Sequence, residues 1–472
     1  MDDLPLSILA EILKRIGDTG DRNSASLVCK RFHSAEGDQR GSLRVGCGLH
    51  PATEALNLLC IRFPSLRSLE ISYSGWISNL GKQLDDNGLL VLASRCPCLE
   101  DLTLSFCSFI TDSGLGHLSS CGNLRSLKLN FAPSTSSNGL LSVVVGCKNL
   151  SKLHLLRCMK VRSSEWLEYL GKFGVLEDLT VKNCKAIGEA EVMRLGFGWR
   201  ILRRLELEID SSYRDFKAHH RSSASGDFPR QHPPCDALEE LRLVNCIFAQ
   251  GGLSSVLGSC RRLKKLSLDR CYSLRNSDMI SMALNSGNLR SISLRLPSHF
   301  VEPGTVNIYP SQMTDESLRA LAHHCLSLEE VDVCFSDLDS PSAPCCFSLS
   351  GLLAVLHCCP VRSLVLERAH IFGDVGMEAL CSSSSSSSSL EKLELIRCQE
   401  VSDEGLRLLA VFPRLNCVTL RKCLGVTDYG LQPLLGLKKL ETLMVEDCPR
   451  ISEKAVRAAA RSASYAQDLS WL

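Results

Sequence analysis

Leucines recur along this chain in the order Leu-x-x-Leu-x-Leu. First positions of the pattern include Leu99, Leu124, Leu150, Leu176 and Leu202, then Leu238, Leu263 and Leu289, and later Leu390, Leu415 and Leu440. Most neighbouring starts lie about 25–26 residues apart, the spacing of a stacked array rather than of separate globular domains. The clearest unit runs through Cys96, Leu99, Leu102, Leu104 and Cys107 to Ile110-Thr111-Asp112, Gly114-Leu115 and Leu118. Its late counterparts end in Val401-Ser402-Asp403 with Gly405-Leu406, and in Val426-Thr427-Asp428 with Gly430-Leu431. About 14 such units, some degenerate, fit between Phe63 and Val456.

Each part of the unit has a physical job. The Leu-x-Leu segment alternates with period two, which predicts a short strand with its leucines inward. The cysteine that follows turns into the core as the chain leaves the strand. Thr/Ser-Asp starts a helix, because a short oxygen-bearing side chain caps orphan backbone N–H groups. Gly-Leu-x-x-Leu is that helix, and a second cysteine phase at Cys121, Cys147, Cys260, Cys325 and Cys359 closes it. One unit cannot cover its own apolar face, so units must stack. These features resemble the cysteine-containing subclass of leucine-rich repeats. The fold class expected is therefore α/β: a leucine-rich-repeat solenoid, horseshoe-shaped, with an inner parallel sheet and outer helices. A small all-α module precedes it. The domain division expected is 1–45 for that module and 46–472 for the solenoid.

Residues 1–45 do not fit the repeat. Leu4-Pro5-Leu6 through Ile16 predicts an amphipathic helix with proline near its first turn. Asp18 to Arg22 reads as a polar break, and Asn23 to Phe32 as a second helix. The Leu-Pro start, the Asp21-Arg22-Asn23 and Ser26-Leu27-Val28-Cys29-Lys30 motifs and Phe32 resemble an F-box. With Leu43-Arg44-Val45 and Phe63-Pro64-Ser65-Leu66 behind them, they look like F-box proteins of the plant auxin- and jasmonate-receptor type. The resemblance implies a non-catalytic substrate-recognition subunit of an SCF-type E3 ubiquitin ligase. Its F-box would dock a Skp-type adaptor and, through it, a cullin complex. Its repeats would hold a protein substrate for ubiquitin-dependent proteasomal degradation. By position, the adaptor-facing candidates are Leu4, Pro5, Ile8, Leu9, Leu13, Leu27, Val28 and Phe32. The competing reading has Ile12, Ile16 and Leu27 packing the module on the first repeat. The functional alternatives are a repeat scaffold with a helical cap, and a receptor gated by a small molecule.

A substrate would meet the strand residues that flank the inward leucines, such as Lys152, His154, Lys182, Arg242 and Arg295. Three interruptions break the period at 210–234, 296–312 and 335–347. The last two follow adjacent strands and offer Phe300, Tyr309 and Phe335 as a clamp at one rim. Relatives hold an inositol polyphosphate on clustered Lys/Arg. Here acids interrupt the bases, so a mixed, protein-facing surface is expected, with no cofactor and inositol polyphosphate as the alternative.

Composition narrows the picture further. Lys and Arg number 53 against 52 Asp and Glu, a net charge of +1, so no global field favours nucleic acid or an anionic membrane. No apolar run reaches the roughly 18 residues that cross a bilayer. The acidic start Met1-Asp2-Asp3 lacks the form of a signal peptide, which leaves nucleus or cytoplasm as the expected location. The 25 cysteines are odd in number and recur at repeat phases, so they read as reduced core residues. Cys345-Cys346 and Cys358-Cys359 lack a paired zinc-knuckle spacing, and no metal is expected. No phosphate-loop, dinucleotide, zincin or nucleophile-elbow motif occurs.

Overall fold

A computed structural model of the chain describes residues 4–46, 52–73, 83–210, 235–247, 252–295, 312–335, 347–382, 389–437, 439–459 and 462–466. It divides into two compact units, Met1–Tyr213 and Arg214–Leu472. No helix among the described residues is long and apolar enough to cross a membrane.

The first unit opens with helices α1 (Leu6–Lys14), α2 (Thr19–Ser26) and α3 (Lys30–Gln39). The sequence predicts two helices with a polar break over Asp18–Arg22; the first break instead covers 15–18, and a second lies at 27–29. Asp18 is the N-cap of α2, and its carboxylate accepts the Asp21 N–H at 2.8 Å. A polar stretch thus starts a helix because its first carboxylate satisfies an orphan donor. Seven strands follow: β1 (Ser42–Val45), β2 (Ser68–Ser72), β3 (Asp101–Ser105), β4 (Ser126–Asn130), β5 (Lys152–Leu156), β6 (Asp178–Lys182) and β7 (Arg204–Glu208). Each pairs parallel with the next, and Leu102, Leu127, Leu153, Leu179 and Leu205 stand in register. β1 pairs with β2, so residues 42–45 belong to the sheet and the helical module ends earlier than position 45.

The second unit carries β8 (Glu240–Val244), β9 (Lys265–Asp269), β10 (Ser291–Arg295), β11 (Glu330–Cys334), β12 (Ser363–Glu367), β13 (Lys392–Ile396), β14 (Cys417–Arg421), β15 (Thr442–Glu446) and β16 (Ser462–Ala466). These too pair parallel in chain order. In each unit helices connect successive strands, and the inward leucines, such as Leu153, Leu266 and Leu393, are almost wholly buried. This is the leucine-rich-repeat fold that the periodicity predicts.

Three local devices hold repeat to repeat. The first is the strand-end thiol, which donates to a carbonyl of the previous strand: Cys271 to Leu243 at 3.3 Å, Cys398 to Leu366 and Cys423 to Leu395 at 3.4 Å. Burial pushes the Cys398 thiol up to about 11 and that of Cys107 to about 12. Both stay protonated donors near neutral pH.

The second device refines the Thr/Ser-Asp reading. The hydroxyl caps its own helix, while the aspartate reaches into the following repeat. Asp374 accepts the Ser402 N–H at 2.9 Å and hydroxyl at 2.6 Å, and Asp403 accepts Thr427 at 2.7 and 2.6 Å. Asp86, Asp112, Asp315 and Asp428 do the same. A glycine three residues beyond the donating hydroxyl makes room beside five of these aspartates, and at Ser452 that position is Ala455: a Cβ on Gly405 would stand 2.4 Å from Asp374 Oδ1. The third device was not foreseen. The residue between strand and cysteine is left-handed and not glycine: φ is 53° at Arg157 and Arg397 and 58° at Phe106. Its N–H bonds across to the next strand, as Arg397 does to Arg421 O at 2.7 Å.

Candidate functional site

Two surfaces are candidates: the outside of the helical module and the outward face of the strands.

In α1 the apolar residues form two stripes at helical spacing. Leu9 and Leu13 turn inward and join Ala35 in the core, with Ile16, Ala25 and Phe32 packed against it. The other stripe stays outside, with Ile8 and Ile12 51 and 49% exposed, and Leu6 at the helix start is 53% exposed. In the break after α2, Leu27 and Val28 are 82 and 67% exposed. Leu9 and Leu13 are thus buried, and Phe32 half-buried, in the module's own interior. Ile8, Leu27 and Val28 are outside, as is Pro5, whose carbonyl accepts the N–H groups of Ile8 and Leu9. Leu4 is half-buried, and its carbonyl accepts from the Arg31 guanidinium. Leu6 and Ile12 were missed. For Ile12 the register relative to Leu9 and Leu13 carried the signal, but only the third helix shows which stripe it covers; Leu6 shares the register of Leu9 and Leu13 and is exposed at the helix start. The competing reading fails as well. Ile12 and Leu27 are exposed, Ile16 serves the module's own core, and the link to the first repeat is polar. Glu36, fully buried, contacts Arg40, and Arg62 of helix α4 (Ala52–Arg62) approaches it to 3.8 Å.

On the strand face of the first unit, Lys152 is exposed, while His154 and Lys182 are half-buried beside carboxylates. His154 Nε2 lies 3.2 Å from Asp178, and Lys182 Nζ 2.8 Å from Glu206. In the second unit Arg242 is exposed. Arg295 reaches Asp332 at 3.1 Å and Glu367 at 3.0 Å, and the Ser293 hydroxyl donates to the same Asp332 at 2.9 Å. Cations on these strands thus meet carboxylates one or two strands away, which favours a polar partner of mixed charge over a polyanion. Phe335 is a correction. It is only 5% exposed and packs edge-on against Phe347 with ring centres 6.5 Å apart, so it seals the core below its loop. Phe300 and Tyr309 lie outside the described residues, as does most of each of the three interruptions. The strands before two of those loops are neighbours, with Arg295 in register with Cys334.

Comparison with known proteins adds to this geometry. The F-box family model matches residues 1–41, the three helices and no strand. The leucine rich repeat model matches residues 95–119 and 357–381. The chain carries an F-box followed by leucine-rich repeats. Relatives of the F-box and repeat chain include F-box protein SKIP19 of Arabidopsis thaliana, 26% identical over 32% of this chain and 55% of that protein. GRR1-like protein 1 of Arabidopsis thaliana is 23% identical over 77% of this chain and 63% of its own length. A transport inhibitor response 1-like protein of Oryza sativa subsp. japonica is 28% identical over 34% of this chain and 28% of its own. The chain therefore spans less than two thirds of each of these relatives. Among solved structures, a chain of the yeast Rad7 and Elc1 complex aligns over 96% of this chain and 90% of that one, with 16% identity and a TM-score of 0.49.

Proposed function

We propose that the protein is the substrate-recognition subunit of an SCF-type E3 ubiquitin ligase. The F-box docks a Skp-type adaptor and, through it, a cullin complex. The repeats hold a target protein for ubiquitin-dependent degradation. Transfer chemistry belongs to other subunits, so the chain itself is non-catalytic and needs no cofactor, and it works in the nucleus or cytoplasm. The observation that carries this reading is the exposed apolar set Leu6, Ile8, Ile12, Leu27 and Val28 on a module that has already buried its own core. A small module gains nothing from presenting such residues to water, whereas a partner that covers them gains about 1.5–3 kcal/mol for each one fully buried.

The test is calorimetric titration of the full chain with a Skp-type adaptor, beside a Leu27→Asp/Val28→Asp variant. Both positions lie outside the core, so the variant keeps its circular dichroism and melting behaviour. At the figure above, losing two such contacts weakens binding more than about 100-fold. No binding by the unaltered chain refutes the proposal and leaves a repeat scaffold with a helical cap.

A further inference from the structure

Three arginines converge on one carboxylate where the F-box meets the first repeat. Glu36 in α3 is fully buried. Arg40 Nε lies 2.5 Å from its Oε1, Arg22 Nε 3.9 Å from the same atom, and Arg62 Nη2 3.8 Å from Oε2. Among the described residues, every ion pair of these arginines runs to Glu36, so three positive charges face one negative. The guanidiniums are held in place. Arg40 donates to Asn23 Oδ1 at 2.7 Å, and Arg40 and Arg62 lie 5.3 and 5.1 Å from the centre of the Phe63 ring. Gly37 lets the two helices meet this closely, since a Cβ there would stand 2.8 Å from the Arg62 carbonyl.

The helix ends explain part of this. Arg40 and Arg62 stand at the C-terminal ends of α3 and α4, where the partial negative charge of the last carbonyls favours cations. That leaves Arg22, and it leaves the unused donors. Arg22 Nε and Nη2 and Arg62 Nε are buried without a hydrogen-bond partner among the described residues, three donors beside a single unused acceptor, Glu36 Oε2. Buried N–H groups without acceptors are rare and costly. Arg22 and Arg62 side chains keep 21 and 34% of their surface exposed, so the joint opens to solvent beside these buried donors. We propose that this joint is a binding site for a phosphate-type dianion, gripped by Arg22 and Arg62 with Arg40 behind them. A phosphate group matches the two surplus charges and offers several acceptor oxygens to planar guanidinium forks. Bound there, it fastens the F-box to the first repeat.

The experiment is amide hydrogen exchange on the full chain in sodium phosphate against sodium chloride of equal ionic strength. Segments 19–40 and 52–62 should exchange about tenfold more slowly at phosphate ten times its Kd, with saturation. An Arg22→Gln/Arg62→Gln variant should lose that response yet fold as well without phosphate, because it sheds unpaired charge. A merely structural role for these arginines predicts the opposite, faster exchange in both salts. Equal slowing in the two proteins, or none in either, overturns the proposal. Repeating the titration with inositol hexakisphosphate and with a phosphoserine peptide separates a soluble polyphosphate from a phosphorylated partner. The source that saturates at the lower concentration is the one the site fits.

Discussion

The aspartate that reaches from one repeat to the following one, and the glycine that admits it, form a pair whose coupling can be measured. Asp374 accepts two hydrogen bonds from Ser402, at 2.9 Å from the amide and 2.6 Å from the hydroxyl. Hydrogen bonds to a charged group contribute about 1.5–3 kcal/mol each, and this site is only part-buried, so Asp374→Ala should cost about 2–4 kcal/mol. Gly405→Ala should cost up to about as much, since a Cβ at 2.4 Å from Asp374 Oδ1 must shift the carboxylate against Ser402, whereas beside Ala455 the carboxylate of Asp428 is already placed to keep both bonds to Ser452. The helix gains about 0.5–1 kcal/mol from losing a glycine, which offsets a little of that. In the Asp374→Ala background the obstacle is gone. Among the close atoms only Met377 Cγ remains, at 3.3 Å, on a flexible side chain. Adding Gly405→Ala there should be neutral or stabilising by about 0.5–1 kcal/mol. The double-mutant cycle therefore predicts a coupling of up to about 2–4 kcal/mol. Urea unfolding of the full chain, followed by circular dichroism, measures it, with the slopes compared because two units need not unfold together. Gly116→Ala is the control, since nothing lies within 4 Å of its Cβ. Additive costs for the two substitutions would refute the argument that the glycine exists to admit the carboxylate.

Other outcomes follow from the same structure. Glu36→Gln removes the one negative charge facing three arginines and should destabilise the F-box by about 3–5 kcal/mol, seen as faster amide exchange in 6–39 with the repeats unchanged. Arg397→Gly relieves a left-handed φ of 53° and should stabilise by about 0.5–1 kcal/mol in thermal unfolding; a loss of stability would contradict the strain reading. Burial pushes Cys107, Cys147, Cys325 and Cys359 up to about 12 from an ordinary 9.0. Unfolding returns them to that ordinary value, so their contribution is complete below pH 9.0 and is lost as pH rises towards 12. Each thiol should remove about 1.4 kcal/mol of stability in total between pH 8 and 10 in urea titrations, most of it above pH 9, and a flat profile would contradict it.

Much of the fold was legible in the residues because its signals are local and repeated. Period-two leucines specify a strand, Ser/Thr before Asp specifies a helix start, and a cysteine phase marks each exit, so copies of one pattern reinforce one another. The sequence by itself determined the repeat architecture, the inward residues and the presence of an F-box. Only the tertiary structure decided which stripe of α1 faces out. Leu9 and Leu13 differ from Ile8 and Ile12 by about 100° around one helix, and nothing in the stripe itself says which side the third helix covers. It also decided that Asp374 serves the following repeat rather than its own helix, that Phe335 closes a core, and that strand-face cations such as Arg295 are paired across strands. Those facts join residues about 12 to 70 positions apart, and partners at that distance are fixed by how repeats stack rather than by the pattern within any one of them.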